Sequence, residues 1–211
     1  MKRRSMAALM LLSFLFGGCA VGNKHNYADV VADVRASGSS SVSVATHDQR
    51  PYVVSGEKLP QFVGIQRGGF GNPFNVSTLD NKPLADDITG VITASLAKKG
   101  FHAVPVIVSS SDSGAAVLER SKAAAAQRIV IVTLNEWKAD TYNSVALAFD
   151  VDMSVYGKDG RRLAQKNIKG RDNLGGSAWS PPAHAKQAVP VAFRQKLEEL
   201  LNSPEISKTF E

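Results

Sequence analysis

The chain has 211 residues, 44% of them hydrophobic and 21% charged, with a formal charge of +6. This composition fits one globular domain, with or without a tail, and excludes an intrinsically disordered chain. A single Cys excludes an internal disulfide framework and any multi-Cys metal site.

Residues 1–18 read as an address. Lys2, Arg3 and Arg4 form a positive start, Met6 to Phe16 is an almost unbroken apolar run, and Gly17, Gly18, Cys19 and Ala20 supply small residues at a cut. The apolar run has 11 residues, whereas a helix that spans a bilayer needs about 20. Leu15-Phe16-Gly17-Gly18-Cys19 resembles the bacterial lipobox, with Phe16 where Leu is usual. On that reading Cys19 opens the mature chain and carries acyl groups such as palmitate. Several chains on one residue give a stable membrane anchor, because each buried CH₂ contributes about 0.8 kcal/mol. A general signal peptide with an incidental Cys is the other reading. Ala20, in place of an Asp after the Cys, resembles an outer-membrane destination. Removal of residues 1–18 takes three positive charges and leaves +3 over 193 residues. No dense Lys/Arg run with interleaved aromatics remains, so nucleic acid is not an expected partner.

Residues 19–40 are expected to be the acylated Cys and a tether. Tyr27, Val30, Val31 and Val34 have the spacing of a short helix, and Ser37 to Ser41 is a Ser/Gly break. A single periplasmic domain is expected over 41–211. Its first strand runs through Val42, Val44 and Thr46, and Pro51 and Pro60 bracket a loop. Gln61–Gln66 and Phe74–Thr78 are short strands around the turn Arg67-Gly68-Gly69-Phe70-Gly71-Asn72-Pro73. The clearest helix is Pro83–Lys99. Asp86 and Asp87 suit its first turn, Lys98 and Lys99 its last, and Gly100 its left-handed end. Phe101–Val108 follows as an edge strand with Pro105. Ser111-Asp112 are expected to cap a second helix over about 113–126.

Ile129–Leu134 is apolar on both faces and reads as a central strand. Val145, Leu147, Phe149, Val151, Met153 and Val155 alternate with mostly polar residues, which predicts a long strand with one wet face. Lys158-Asp159-Gly160-Arg161 turns it into a polar strand over Leu163–Lys169. Pro181-Pro182 open a final helix to about Leu201, with Pro190 as a kink or its true start. The order predicts an α+β fold: a mixed, mainly antiparallel sheet with helices packed on one face.

Few residues suggest chemistry. The glycines at 64, 68, 69 and 71 lead into Asn72-Pro73 rather than Gly-Lys-Ser/Thr and a helix, so they read as a hairpin and not a phosphate loop. His25, His47, His102 and His184 show no metal spacing, and no cofactor motif is present. Asp150 and Asp152 share a strand face, where an acid–base pair and an ordinary wet sheet face are both consistent with the spacing. Ser109 to Ser111 lack a nucleophile elbow. The candidate binding residues are Trp179 in the Gly/Ser/Pro segment 175–182, Trp137 at the end of the central strand, and Arg67 and Phe70 in the Gly-rich hairpin; for the two tryptophans, packing against the sheet is the other reading and the more common one. Catalytic and metal-binding residues are not expected.

With the lipobox, the helix and the meander in place, the chain resembles the YajG-like small bacterial lipoproteins. Local echoes are Asp48-Gln49-Arg50 after the first strand, Leu84-Ala85 opening a helix that ends Lys99-Gly100-Phe101, and Val130 to Ala139 before the long alternating strand. The resemblance implies an envelope lipoprotein with a small α/β domain and no catalytic residues. The expected role is that of a non-enzymatic outer-membrane lipoprotein whose periplasmic domain binds or supports another envelope component. The alternative is a ligand-binding module for glycan, peptidoglycan fragment or lipid.

Overall fold

A computed structural model of the protein describes residues 23–211; the signal segment, Cys19 and Ala20 lie outside the described residues. In chain order the elements are β1 (Lys24–His25), β2 (Ser41–Asp48), α1 (Pro51–Val54), β3 (Phe62–Arg67), β4 (Pro73–Thr78), α2 (Leu84–Lys98) and β5 (His102–Val106). Then follow α3 (Gly114–Lys122), β6 (Arg128–Thr141), β7 (Ser144–Gly157), β8 (Arg162–Gly176), α4 (Pro181–Leu201) and α5 (Pro204–Ser207).

The expected α+β class holds, and β6 is its spine. β7 pairs antiparallel along one side of β6, and β8 pairs antiparallel with β7. The other side of β6 is shared. β2 runs parallel to it over Arg128–Leu134, and β3 runs parallel to it over Ala139–Thr141. β5 flanks β2, while β4 and then β1 extend the sheet beyond β3. The sheet is therefore mixed, and its longest ladders are the antiparallel ones. The inward set on β7, from Val145 to Val155 at odd positions, is buried as the alternation predicts. α2 and α4 cover this face. The short α3 covers part of the opposite face, where Val117 packs on Ala45, Ile129 and Ile131.

Two strands do not meet end to end on one edge without a splice, and β2 and β3 use an ion pair. Arg50 is fully buried and Asp48 nearly so. Arg50 donates to both Asp48 oxygens, at 2.9 and 2.7 Å, and to the carbonyls of Phe62 and Pro60. It thus binds the end of β2 to the start of β3 across the gap between their two stretches of β6. Within the gap Pro51 opens α1 rather than a plain loop, and Tyr52 Oη lies 2.7 Å from Glu136 and 3.1 Å from the Trp137 carbonyl. Gly64 lets β3 close on β6, since a Cβ there would overlap the Ala139 carbonyl.

The structure corrects several expectations. From residue 23 the chain is no tether and forms no short helix. Tyr27, Ala32 and Val34 are buried, and positions 31–40 alternate outward and inward as extended chain does. Ser95 Oγ accepts from Ala32 N–H, and Asn202 Oδ1 accepts from Arg35 N–H, which stitches this segment to α2 and to the end of α4. α3 is capped by Ser113, whose hydroxyl accepts from Ala116 N–H, rather than by Ser111-Asp112. Asp112 instead pairs with Arg120 at 2.9 Å. Pro190 lies inside an uninterrupted α4.

Removing one member of a buried pair leaves the other charged and unpaired, which costs about 3–5 kcal/mol. Arg50→Met is expected to destabilise the domain by that amount in urea unfolding. The double variant Asp48→Asn/Arg50→Met is expected to recover part of the loss.

Candidate functional site

Strand registers bring three connections to one end of the sheet. Gln66 lies beside Thr141, Thr141 pairs with Val145, and Ser144 pairs with Gly176. The β3–β4 hairpin tip, the β6–β7 turn at Tyr142-Asn143 and the β8–α4 loop therefore share that end. A Cβ at Gly176 would overlap the Asn143 carbonyl, so glycine is what lets β8 close against the turn.

Each connection is braced by hydrogen bonds of its own. In the hairpin, Gly68 N–H donates to the Asn72 carbonyl at 2.9 Å and Gly71 N–H to the Gly68 carbonyl at 2.8 Å. In the β8–α4 loop, Ser177 Oγ accepts from the N–H groups of Trp179 and Ser180. His184 Nε2 donates to the Leu174 carbonyl at 2.9 Å, which ties the first turn of α4 to the end of β8. The aromatic side chains of these connections lie outside the core. Phe70 is 103% exposed, Trp179 97% and Tyr142 44%. They are the exposed aromatic residues among those described, and all three stand at this end.

Phe70 is thus a surface residue, as its hairpin suggests, and Trp179 is exposed rather than packed against the sheet. Arg67 stands beside them at the end of β3, held by Asp140 in a two-pronged pair at 2.9 and 2.7 Å. That partner keeps the Arg67 guanidinium above its usual pKa. Tyr142 has no sequence signal beyond an aromatic residue in a turn.

Trp137 does not belong to this surface. It is 2% exposed and donates from Nε1 to Tyr27 Oη at 3.1 Å. Its ring packs edge-on against Tyr27 and Phe193. The cause is a bulge: Leu134 faces Val151 but Glu136 faces Asp150, so Asn135 is an extra residue on β6. Before it the even positions Val130, Val132 and Leu134 face the main core; after it Trp137, Ala139 and Thr141 do.

Asp150 and Asp152 line a polar sheet face and are engaged by its neighbours. Lys169 lies 2.8 Å from Asp150, and Asn167 donates to it at 3.0 Å. Burial works against the charged form, but these partners hold the Asp150 carboxyl below its usual range. Asp152 accepts from Asn135 and Gln165. Among the described residues no three metal-ligating side chains gather, and no helix is long and apolar enough to cross a membrane. A groove of about 430 Å³ lies beside β4, lined in part by Lys24, Lys58, Leu59 and Phe62. Both lysines are already partnered there, Lys24 by the Leu79 carbonyl and Lys58 by Asn75.

No family model matches the chain, and no curated protein matches it. Among solved structures the chain is similar to protein XCC0632 from Xanthomonas campestris, assigned to DUF330. The TM-score is 0.51 at 10% identity, over 89% of this chain and 97% of that one. The two share a fold. More distant are the PelC dodecamer from Paraburkholderia phytofirmans, with TM-score 0.39 and 13% identity over 82% of this chain and 96% of that one, and lipoprotein GNA1162 from Neisseria meningitidis, with TM-score 0.36 and 11% identity over 75% and 99%.

His25, on β1, gives this structure a pH dependence. Neither of its buried ring nitrogens has a hydrogen-bond partner among the described residues. Burial first, then Lys186, lowers its pKa to about 4 from 6.5. Below pH 6.5 the unfolded chain takes up a proton that the folded chain refuses. The His25 contribution is therefore complete above pH 6.5 and falls as pH drops toward 4, by about 3 kcal/mol at most. Asp87, raised to about 6 by burial and then Asp80, acts in the opposite sense. The difference between wild type and His25→Gln in unfolding free energy isolates the histidine, and it is expected to shrink steadily from pH 7 to pH 4.

Proposed function

We propose that the protein is a YajG-like envelope lipoprotein without catalytic activity, anchored through acylated Cys19 in the outer membrane, its domain facing the periplasm and binding or supporting another envelope component. The observation that carries this reading is the lipobox-like Leu15–Cys19 placed four residues ahead of Asn23, where the described residues start, and just before strand β1. Ala20 favours the outer membrane. The acidic pair best placed for acid–base work is engaged by sheet neighbours, which favours a binding role over hydrolysis. A protein partner has a natural docking line along β8. Among the described residues this 15-residue strand pairs only with β7, and its other edge is open to strand addition. Its Lys166, Lys169 and Arg171 guard that edge against self-association.

The ligand-module reading called for a concave apolar site at Trp137 or Trp179. Trp137 is core, and neither Trp lines the groove beside β4.

Wild-type protein is expected to take up labelled palmitate and to fractionate with membranes, and Cys19→Ser to lose the label and become soluble. A Cys19→Ser protein that stays membrane-bound contradicts the anchor. In-cell crosslinking of the two forms is expected to capture a discrete envelope protein with the acylated form alone. Recovery of glycan or lipid without protein contradicts the support role.

A further inference from the structure

The end of the sheet that carries Phe70, Tyr142 and Trp179 is also the side from which the described chain enters β1. β1 runs parallel to β4, and β4 runs away from the hairpin tip, so the chain enters β1 from the tip side. Asn23 marks the entry, and its side chain donates to Gln66, one residue short of the end of β3. Cys19 is four residues before Asn23. Four residues span at most about 14 Å. The registers place Lys24 about level with Phe62, Trp137 and Phe149, so the β7–β8 turn at Lys158–Arg161 lies roughly 30 Å further along strands that rise about 3.4 Å per residue, and the end of β3 at Arg67 is roughly half as far in the other direction. An anchor at Cys19 therefore holds the aromatic end close to the bilayer and the charged far turn away from it.

The composition of this end matches that position. No Asp, Glu, Lys or Arg occurs in residues 68–79, 142–149 or 173–183, in a chain that is 21% charged. The connections offer Gly, Asn, Ser, Ala and Pro around three exposed aromatics, and the N–H groups of Gly68, Gly71, Tyr142, Trp179 and Ser180 are bonded within them. Charge returns at Arg67 and Asp140, which neutralise each other. Tyr and Trp rings favour the headgroup level of a membrane, Phe70 adds an apolar ring beside them, and uncharged connections approach that level without stranding ions.

We infer that this end is a membrane-contact surface: Phe70, Tyr142 and Trp179 rest in the interface of the same bilayer that holds the acyl chains. The inference depends on the Cys19 anchor proposed above. The acyl chains supply the attachment, and the aromatic end fixes the tilt, so that the β8 edge stands upright in the periplasm.

The two tryptophans make the test direct, because Trp137 is sealed in the core and Trp179 is the exposed reporter. The full acylated chain is reconstituted in phosphatidylethanolamine/phosphatidylglycerol vesicles containing lipids with brominated acyl chains. Bromine is expected to quench part of the wild-type emission, and Trp179→Phe is expected to abolish that part and leave the Trp137 emission intact. Adding Phe70→Trp to Trp179→Phe is expected to restore quenching, since position 70 is free of packing. Adding Leu163→Trp instead places the reporter near the far turn, and it is expected to stay unquenched. Protein that floats with the vesicles but shows unquenched Trp179 overturns the inference while the anchor stands; the aromatic end is then free for a protein partner. A chain that carries no acyl group and does not float overturns both.

Discussion

The Arg50 guanidinium holds the architecture at its weakest point. A 14-residue spine strand, β6, is longer than either parallel neighbour on that side, so two strands share one edge. Between them the ladder has a gap, and buried backbone groups in a gap need partners. Arg50 supplies four of its bonds there, two to Asp48 and two to carbonyls at the entry to β3. A planar fork with several fixed donors suits this task, and a lysine would not reproduce it. Such a pair contributes little net stability against an apolar replacement of both members, but it sets where β2 stops and β3 begins. The hairpin reaches the aromatic end because of that placement.

Much of this was legible in the residues. The strict alternation from Val145 to Val155 identified β7 and its inward face, and the boundary residues around Leu84–Lys98 identified α2. What was missed has physical causes. Tyr27 and Val34 fit a helical spacing, but a turn at Ala28-Asp29 followed by extended chain buries both, and contacts with Ser95 and Asn202, far along the chain, fix that course. The Asn135 bulge shifts the parity of β6 by one, so Trp137 turns inward although the apolar run before it seemed to end at Leu134. β8 extends well past Lys169 to Gly176 because its polar residues pair with β7 at an exposed edge, where hydrophobic pattern carries no signal. At the candidate site, Phe70 and Trp179 were readable as loop aromatics. Their convergence with Tyr142 was not, since it follows from strand register.

The two ends of the molecule differ in kind. One gathers glycine, serine and proline around aromatics, near the point where the chain enters the fold. The other turns through Lys158, Asp159 and Arg161. In the proposed orientation a lipid anchor at Cys19 would act on this asymmetry through its short reach and set the uncharged end at the bilayer. That proposed orientation would leave the β8 edge and the polar face around Asp150 and Asp152 away from lipid.

The most direct test of this account is hydrogen exchange of the acylated protein on lipid nanodiscs, compared with Cys19→Ser protein free in solution. The predicted result is slowed exchange at the amides of 68–72, 142–143 and 177–180, with unchanged exchange at Lys158–Arg161. Equal exchange in the three connections, or protection at the far turn, contradicts it.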